Sequence, residues 1–181
     1  MRTKPARYLA EVGVIAALYT ALTMVNPLSF GPIQCRVSEA LTILPVFTPT
    51  AIPGLTLGCF LSNLIGLSTG ANVAGAWDLL LGTGATLLAA LFSYWFRKVQ
   101  LRGWPWLSLI PPVFFNAVII GAELALSPLL FPEPSWALFP VCAAEVGAGE
   151  AIAVFVGGSL LHLALSRSGA ARRLFADASR D

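Results

Sequence analysis

Apolar sequence in bilayer-length runs is what most constrains this chain. A spanning helix needs about 20 mostly apolar residues, and the sequence supplies such runs in succession with little between them. Runs are expected at about Tyr8 to Val25, Ile52 to Leu67, Trp77 to Phe96, Leu107 to Leu126 and Phe139 to Leu165. A shorter one, about Val37 to Phe47, is closed by Pro49 and Pro53. Of the 181 residues 57% are apolar and only 11% charged, with a mean hydropathy of +0.79. A soluble domain carries about 25% charged residues, so too little polar surface is present here to face water. The expected class is an all-α integral membrane protein with six transmembrane helices, multi-pass in the cell membrane. Residues 1–166 are expected to form one domain and 167–181 a basic tail that frays. Arg2, Lys4 and Arg7 ahead of the first run resemble the start of a secretory signal. Glu11 interrupts that run, however, and more membrane sequence follows, so the run is expected to stay as the first helix.

The basic residues give an orientation. Arg2, Lys4 and Arg7 precede the first span, Arg97, Lys98 and Arg102 lie between the fourth and fifth, and Arg167, Arg172, Arg173 and Arg180 follow the sixth. With six spans all of these fall on one side, which the positive-inside rule makes cytoplasmic, together with both termini. Arg36 alone falls on the other side. It lies within the stretch from Gly31 to Gly54, around which the chain is organised. Arg36 and Glu39 stand three residues apart at the mouth of the short apolar run, where a helix would let them touch.

Ionisable residues inside spans are costly, and they usually mark function. Asp78 opens the fourth span on the outer side, Glu123 lies near the outer end of the fifth, and Glu145 and Glu150 lie along the outer part of the sixth. With Arg36 and Glu39, charged groups from four helices are therefore expected at a similar depth. Asn116 and Glu123, seven apart, share a helix face, as do Asp78, Gly82 and Thr86. Glu145 and Glu150, five apart, point to different faces, and either could serve the site. Asp78 also reads as an N-terminal helix charge favoured by the macrodipole, and Arg36 with Glu39 as a structural ion pair. Glu11 reads as interfacial, Glu133 as solvated and His162 as snorkelling or loop-facing. On the first helix Gly13, Ala17 and Ala21 make a ladder of small residues, which suits close packing within the protein or docking of a partner subunit.

Other chemistries lack their residues. No phosphate-binding loop is present, so the chain is not expected to hydrolyse ATP, and the motifs of metalloproteases and serine hydrolases are missing. Cys35, Cys59 and Cys142 are widely spaced with His162 as the single histidine, so they read as small core residues and no metal or cofactor is expected. No basic stripe suggests nucleic acid.

The runs GPIQCRVSEALTILPVF, GLTLGCFLSNLIG, WDLLLGTGATLLAAL, PPVFFNAVIIGAEL and GAGEA occur in this order. Over about Tyr8 to Leu165 the chain resembles the QueT family of queuosine-precursor transporters, which look like substrate-binding S components of energy-coupling-factor (ECF) importers. The resemblance implies a six-helix fold with cytoplasmic termini and an outward pocket. It also implies a membrane-embedded T component, contacted by Ala17 and Ala21, and two cytoplasmic ATPase subunits that use the ATP. A 7-deazaguanine presents two adjacent donors on its pairing edge, which a carboxylate matches with two parallel hydrogen bonds. An aminomethyl substituent wants a second carboxylate. Glu123 and Glu145 or Glu150 are expected to take these parts, with Arg36 and Glu39 gating or orienting. Asn116 or Gln34 would donate to the carbonyl oxygen, and Trp77 or Trp136 would cover the flat ring. Two alternatives are an S component for another small vitamin-like molecule and a stand-alone proton-coupled carrier.

Overall fold

The computed structural model describes residues 5–30 and 35–168. Gln34, Arg2, Lys4 and the stretch 169–181, with three of the expected cytoplasmic arginines, lie outside the described residues. Those described form no strand, and helices account for 79% of them. The helices are α1 (Pro5–Val25), α2 (Ala51–Thr69), α3 (Leu81–Phe96), α4 (Trp106–Ala125), α5 (Phe139–Ala151) and α6 (Ser159–Arg167). Three departures from the sequence expectation stand out. The short second run, Val37–Val46, is a 3-10 helix, the fourth span opens with a 3-10 turn over Gly75–Leu79, and the sixth is interrupted by a π-helical segment, Ile152–Gly158.

Five stretches are long and apolar enough to cross a membrane: Pro5–Val25, Ala51–Thr69, Gly75–Phe96, Trp106–Ala125 and Trp136–Arg167. Val37–Val46 is apolar but shorter. Its winding compensates in part. At about 2.0 Å rise per residue a 3-10 helix reaches further than an α-helix of equal length, and most of this one is enclosed by neighbours, including Ser38, Glu39, Leu41, Thr42, Ile43 and Leu44. It lies against the π-helical segment and also touches α1, α2, α3, α4 and α6. Around it α1 packs on α2, α2 on α3, α3 on α4 and α4 on α5.

Two local devices fix this packing. Gly54 and Gly58 on α2 meet α1 so closely that a Cβ on Gly58 would stand 2.7 Å from Tyr19 Cβ and 3.0 Å from the Ala16 carbonyl oxygen. Small residues four apart permit such contact between membrane helices. The buried face of α1 is accordingly Ile15, Ala16, Tyr19 and Thr23, while Gly13, Ala17 and Ala21 lie exposed on the other side. The small-residue ladder of the first helix is therefore not used for packing within the described chain. In α4, Pro112 has no N–H to offer the Ser108 carbonyl one turn back. Ser93 of α3 takes its place, its Oγ donating to Ser108 O at 2.8 Å. A backbone acceptor in lipid needs such a substitute partner.

Apart from Glu11 and Arg36, basic and acidic groups separate along the bundle. Arg7 lines a groove with Leu44 and Leu165, and His162 stacks near Trp104 at 5.3 Å, so α1 starts where α6 ends and beside the loop carrying Arg97, Lys98 and Arg102. His162 lies between the rings of Phe47 and Trp104, part of an aromatic cluster at this end rather than a free snorkelling tip. Glu11 accepts from Arg7 at 3.1 Å and from Thr50 at 3.0 Å near the same end. The acidic cluster occupies the opposite end.

Candidate functional site

Arg36 precedes the 3-10 helix with extended backbone, φ −92° and ψ 111°. No hydrogen bond or ion pair joins it to Glu39 among the described contacts, although the two charges lie close enough to interact, and the guanidinium is held by other partners. Arg36 Nη2 donates to Asp78 Oδ2 at 2.9 Å, Nε to the Ser29 carbonyl at 3.0 Å and Nη1 to Cys59 Sγ at 3.8 Å, and the guanidinium lies 5.6 Å from the centre of the Phe30 ring. Asp78 Oδ2 also accepts from Asn72 Nδ2 at 2.8 Å, while Asn63 Nδ2 reaches the Asp78 carbonyl at 2.7 Å. Gly82 makes room for this arrangement, since a Cβ there would collide with the Asp78 carboxylate and stand 2.8 Å from Asn63 Nδ2. Asp78 is thus an ion-pair partner held across the bundle as well as a charge near a helix start.

Glu39 accepts a hydrogen bond from Tyr19 Oη. Beside it Thr23 Oγ1 donates to Ser38 Oγ at 2.7 Å, a second link from α1 to the 3-10 helix. Glu150, at the end of α5, is buried and close enough to Glu39 and Arg36 for their charges to interact. Cys35 Sγ donates to the Gly149 carbonyl at 3.6 Å, tying the segment before Arg36 to α5. Glu123 of α4 is buried and interacts in the same way with Asp78 and Arg36. The structure therefore brings Arg36, Glu39, Asp78, Glu123 and Glu150 together from five segments.

It does not bring Glu145, which lies on the exposed face of α5. Asn116 is buried on the same helix as Glu123, but its Nδ2 donates to the Pro112 carbonyl at 3.0 Å, one turn back in its own helix. Trp77 and Trp136 are both largely exposed. Trp77 does line a cavity of about 590 Å³ with Glu123, between α3 and α4.

The cluster is rich in acceptors left over. Glu39 Oε2, Asp78 Oδ1, both carboxylate oxygens of Glu123, Glu150 Oε2 and Asn63 Oδ1 are buried without a hydrogen-bonding partner. Buried polar atoms are nearly always paired, and here several orphans of one kind converge. Arg36, the basic member of the cluster, is already committed to Asp78 and Ser29. Chemically, the arrangement suits a ligand that brings N–H donors and positive charge. Tyr19, Asn63 and Asn72 were not singled out by sequence reasoning, and Cys59 was read only as a small core residue. A polar group inside an apolar helix was their one signal, and Asn63 and Tyr19 both carried it.

A multi-span helical bundle that gathers buried charges from many segments near one end, with oxygens free for a polar solute, belongs among membrane transport proteins. Residues 9–167 match the family model of the QueT transporter. The chain belongs to the QueT transporter family, a multi-pass family of the cell membrane. It is 26% identical over 158 residues to the queuosine precursor transporter QueT of Lactococcus lactis subsp. cremoris (strain MG1363), a match that covers 84% of this chain and 89% of that protein. No solved structure matches.

Proposed function

We infer that this protein captures a queuosine precursor, a 7-deazaguanine such as the 7-aminomethyl form, and that it does so as the substrate-binding S component of an ECF importer. The observation that carries the reading is the set of buried, unpartnered carboxylate oxygens on Glu39, Asp78, Glu123 and Glu150. A 7-aminomethyl-7-deazaguanine is their complement, since its pairing edge and pyrrole supply N–H donors and its aminomethyl group a positive charge. Glu123, with both oxygens free, takes the two adjacent donors of the pairing edge in parallel. Glu150 and Glu39 receive the ammonium, and Arg36 holds Asp78 in place. The relative from Lactococcus, named for queuosine-precursor transport, supports the same solute class. Under the positive-inside rule the end with Arg7, Arg97 and Arg167 faces the cytoplasm and the acidic site faces outward. The exposed ladder of Gly13, Ala17 and Ala21 on α1 is the face offered to a T component, which two ATPases drive.

Extraction of the purified protein tests the ligand. A 7-deazaguanine in the extract is the expected result, and a different vitamin-like molecule would redirect the assignment. Uptake of labelled precursor in cells deleted for the T component and the ATPases tests the ECF assignment. It is expected to stop, and uptake that persists would favour a stand-alone proton-coupled carrier.

A further inference from the structure

The cavity between α3 and α4 is more than a rim of the acidic cluster. Its volume of about 590 Å³ is walled by Trp77, Leu81, Val118, Ile119 and Leu126, with Glu123 as its carboxylate. Glu123 is only 8% exposed, and neither of its oxygens has a partner. The side chains at the mouth are apolar and exposed, Trp77 at 68% and Leu129 at 71%, so the cavity opens among lipid-type surfaces. A carboxylate at the back of an apolar chamber selects for a cation whose remainder is apolar, because only the cation satisfies the acid and only an apolar body gains from the walls. An aromatic ring at the mouth adds attraction for an ammonium passing it.

The geometry points to this cavity as a second, membrane-facing binding site for an amphipathic primary amine. The ammonium sits on Glu123 and the alkyl or aryl body lies along Leu81, Val118 and Leu126. Because Glu123 also borders the cluster around Arg36 and Asp78, such amines compete there with the transported solute.

The test is a calorimetric titration of the purified full chain in lipid nanodiscs with 2-phenylethylamine and with 2-phenylethanol, which has the same body without the charge. The amine is expected to bind at least roughly tenfold tighter, and Glu123→Gln is expected to erase that preference. Ala122→Phe places a ring in the cavity and is expected to abolish amine binding while leaving the titration with 7-aminomethyl-7-deazaguanine unchanged. Leu126→Trp at the mouth serves the same purpose where Ala122→Phe does not fold. Equal affinity for amine and alcohol overturns the proposal, as does amine binding that survives both variants. Loss of both ligands together in a folded Ala122→Phe or Leu126→Trp variant also overturns it, since the two sites would then be one; Glu123→Gln, whose carboxylate both ligands use, does not bear on that point. The amine titration reads this cavity whether or not the chain binds a 7-deazaguanine, so the two readings fail separately.

Discussion

Arg36 and Asp78, 42 positions apart, form a buried ion pair at 2.9 Å that joins the start of the 3-10 helix to the turn before α3. Buried ion pairs repay their desolvation only when geometry and further hydrogen bonds are good, and removing one partner strands the other. Here Ser29 and Asn72 supply the further bonds. Asp78→Asn is expected to lower stability by about 3–5 kcal/mol, as breaking such pairs does. Thermal unfolding in detergent would show this as a large drop in midpoint. A double variant, Arg36→Met with Asp78→Leu, should be closer to wild type than Asp78→Asn. Equal melting of all three proteins would remove the pair from any structural role.

Tyr19 is the described donor to Glu39. Tyr19→Phe keeps the ring in the α1–α2 contact but deletes that donor, leaving a buried carboxylate without a partner. A cost of about 1–3 kcal/mol is expected, visible in the same unfolding measurement. Because it also frees a Glu39 oxygen, the variant should alter affinity for a cationic ligand. A variant with wild-type stability and affinity would contradict the assigned contact.

Two glycines give opposite expectations. Gly58→Ala drives a methyl into Tyr19 and the Ala16 carbonyl, and overpacking of this kind costs about 1–3 kcal/mol. A Cβ on Gly13 meets nothing within 4 Å, so Gly13→Ala should leave the stability of the isolated protein near wild type, within about 0.5 kcal/mol. Under the proposed ECF assignment its effect should appear instead in co-purification with a T component. Equal destabilisation by the two substitutions would mean that α1 is rotated from the face described.

Glu145 and Glu150 separate by burial. Glu150→Gln should weaken binding of a 7-aminomethyl-7-deazaguanine by at least roughly tenfold, about 1.4 kcal/mol. Glu145→Gln, on the exposed face of α5, should leave affinity unchanged. A titration in which Glu145→Gln is the weaker binder would reverse the assignment. Glu123→Gln is expected to resemble Glu150→Gln, and unchanged affinity would remove Glu123 from the site.

Much of the longitudinal arrangement was legible from residue type and spacing. Spans expected from Tyr8, Ile52 and Leu107 begin in the structure at Pro5, Ala51 and Trp106, because apolar runs and the breakers that end them are local signals. The convergence of Arg36, Asp78 and Glu123 was also expected from their depth. Helix type was not legible where contacts decide it. Val37–Val46 is wound as a 3-10 helix enclosed on most sides, and Ile152–Gly158 as a π segment packed against it. Nor was the partner of Arg36: proximity in sequence favoured Glu39, whereas the guanidinium pairs with Asp78 from the turn before α3, a contact only the packing of distant segments creates.

The sequence by itself determined that this chain is a helical membrane protein and where its helices run. Only the tertiary structure decided which way each helix is turned. In water the polar face of a helix announces its rotation, but in lipid both faces are apolar. On α1 the exposed Leu9, Val14 and Leu18 are as greasy as the buried Ile15 beside Tyr19. Rotation is then set by close contacts such as Gly58 on Tyr19, and that choice is what buried Tyr19 against Glu39, left Ala17 and Ala21 outside, and put Glu150 rather than Glu145 among the charges.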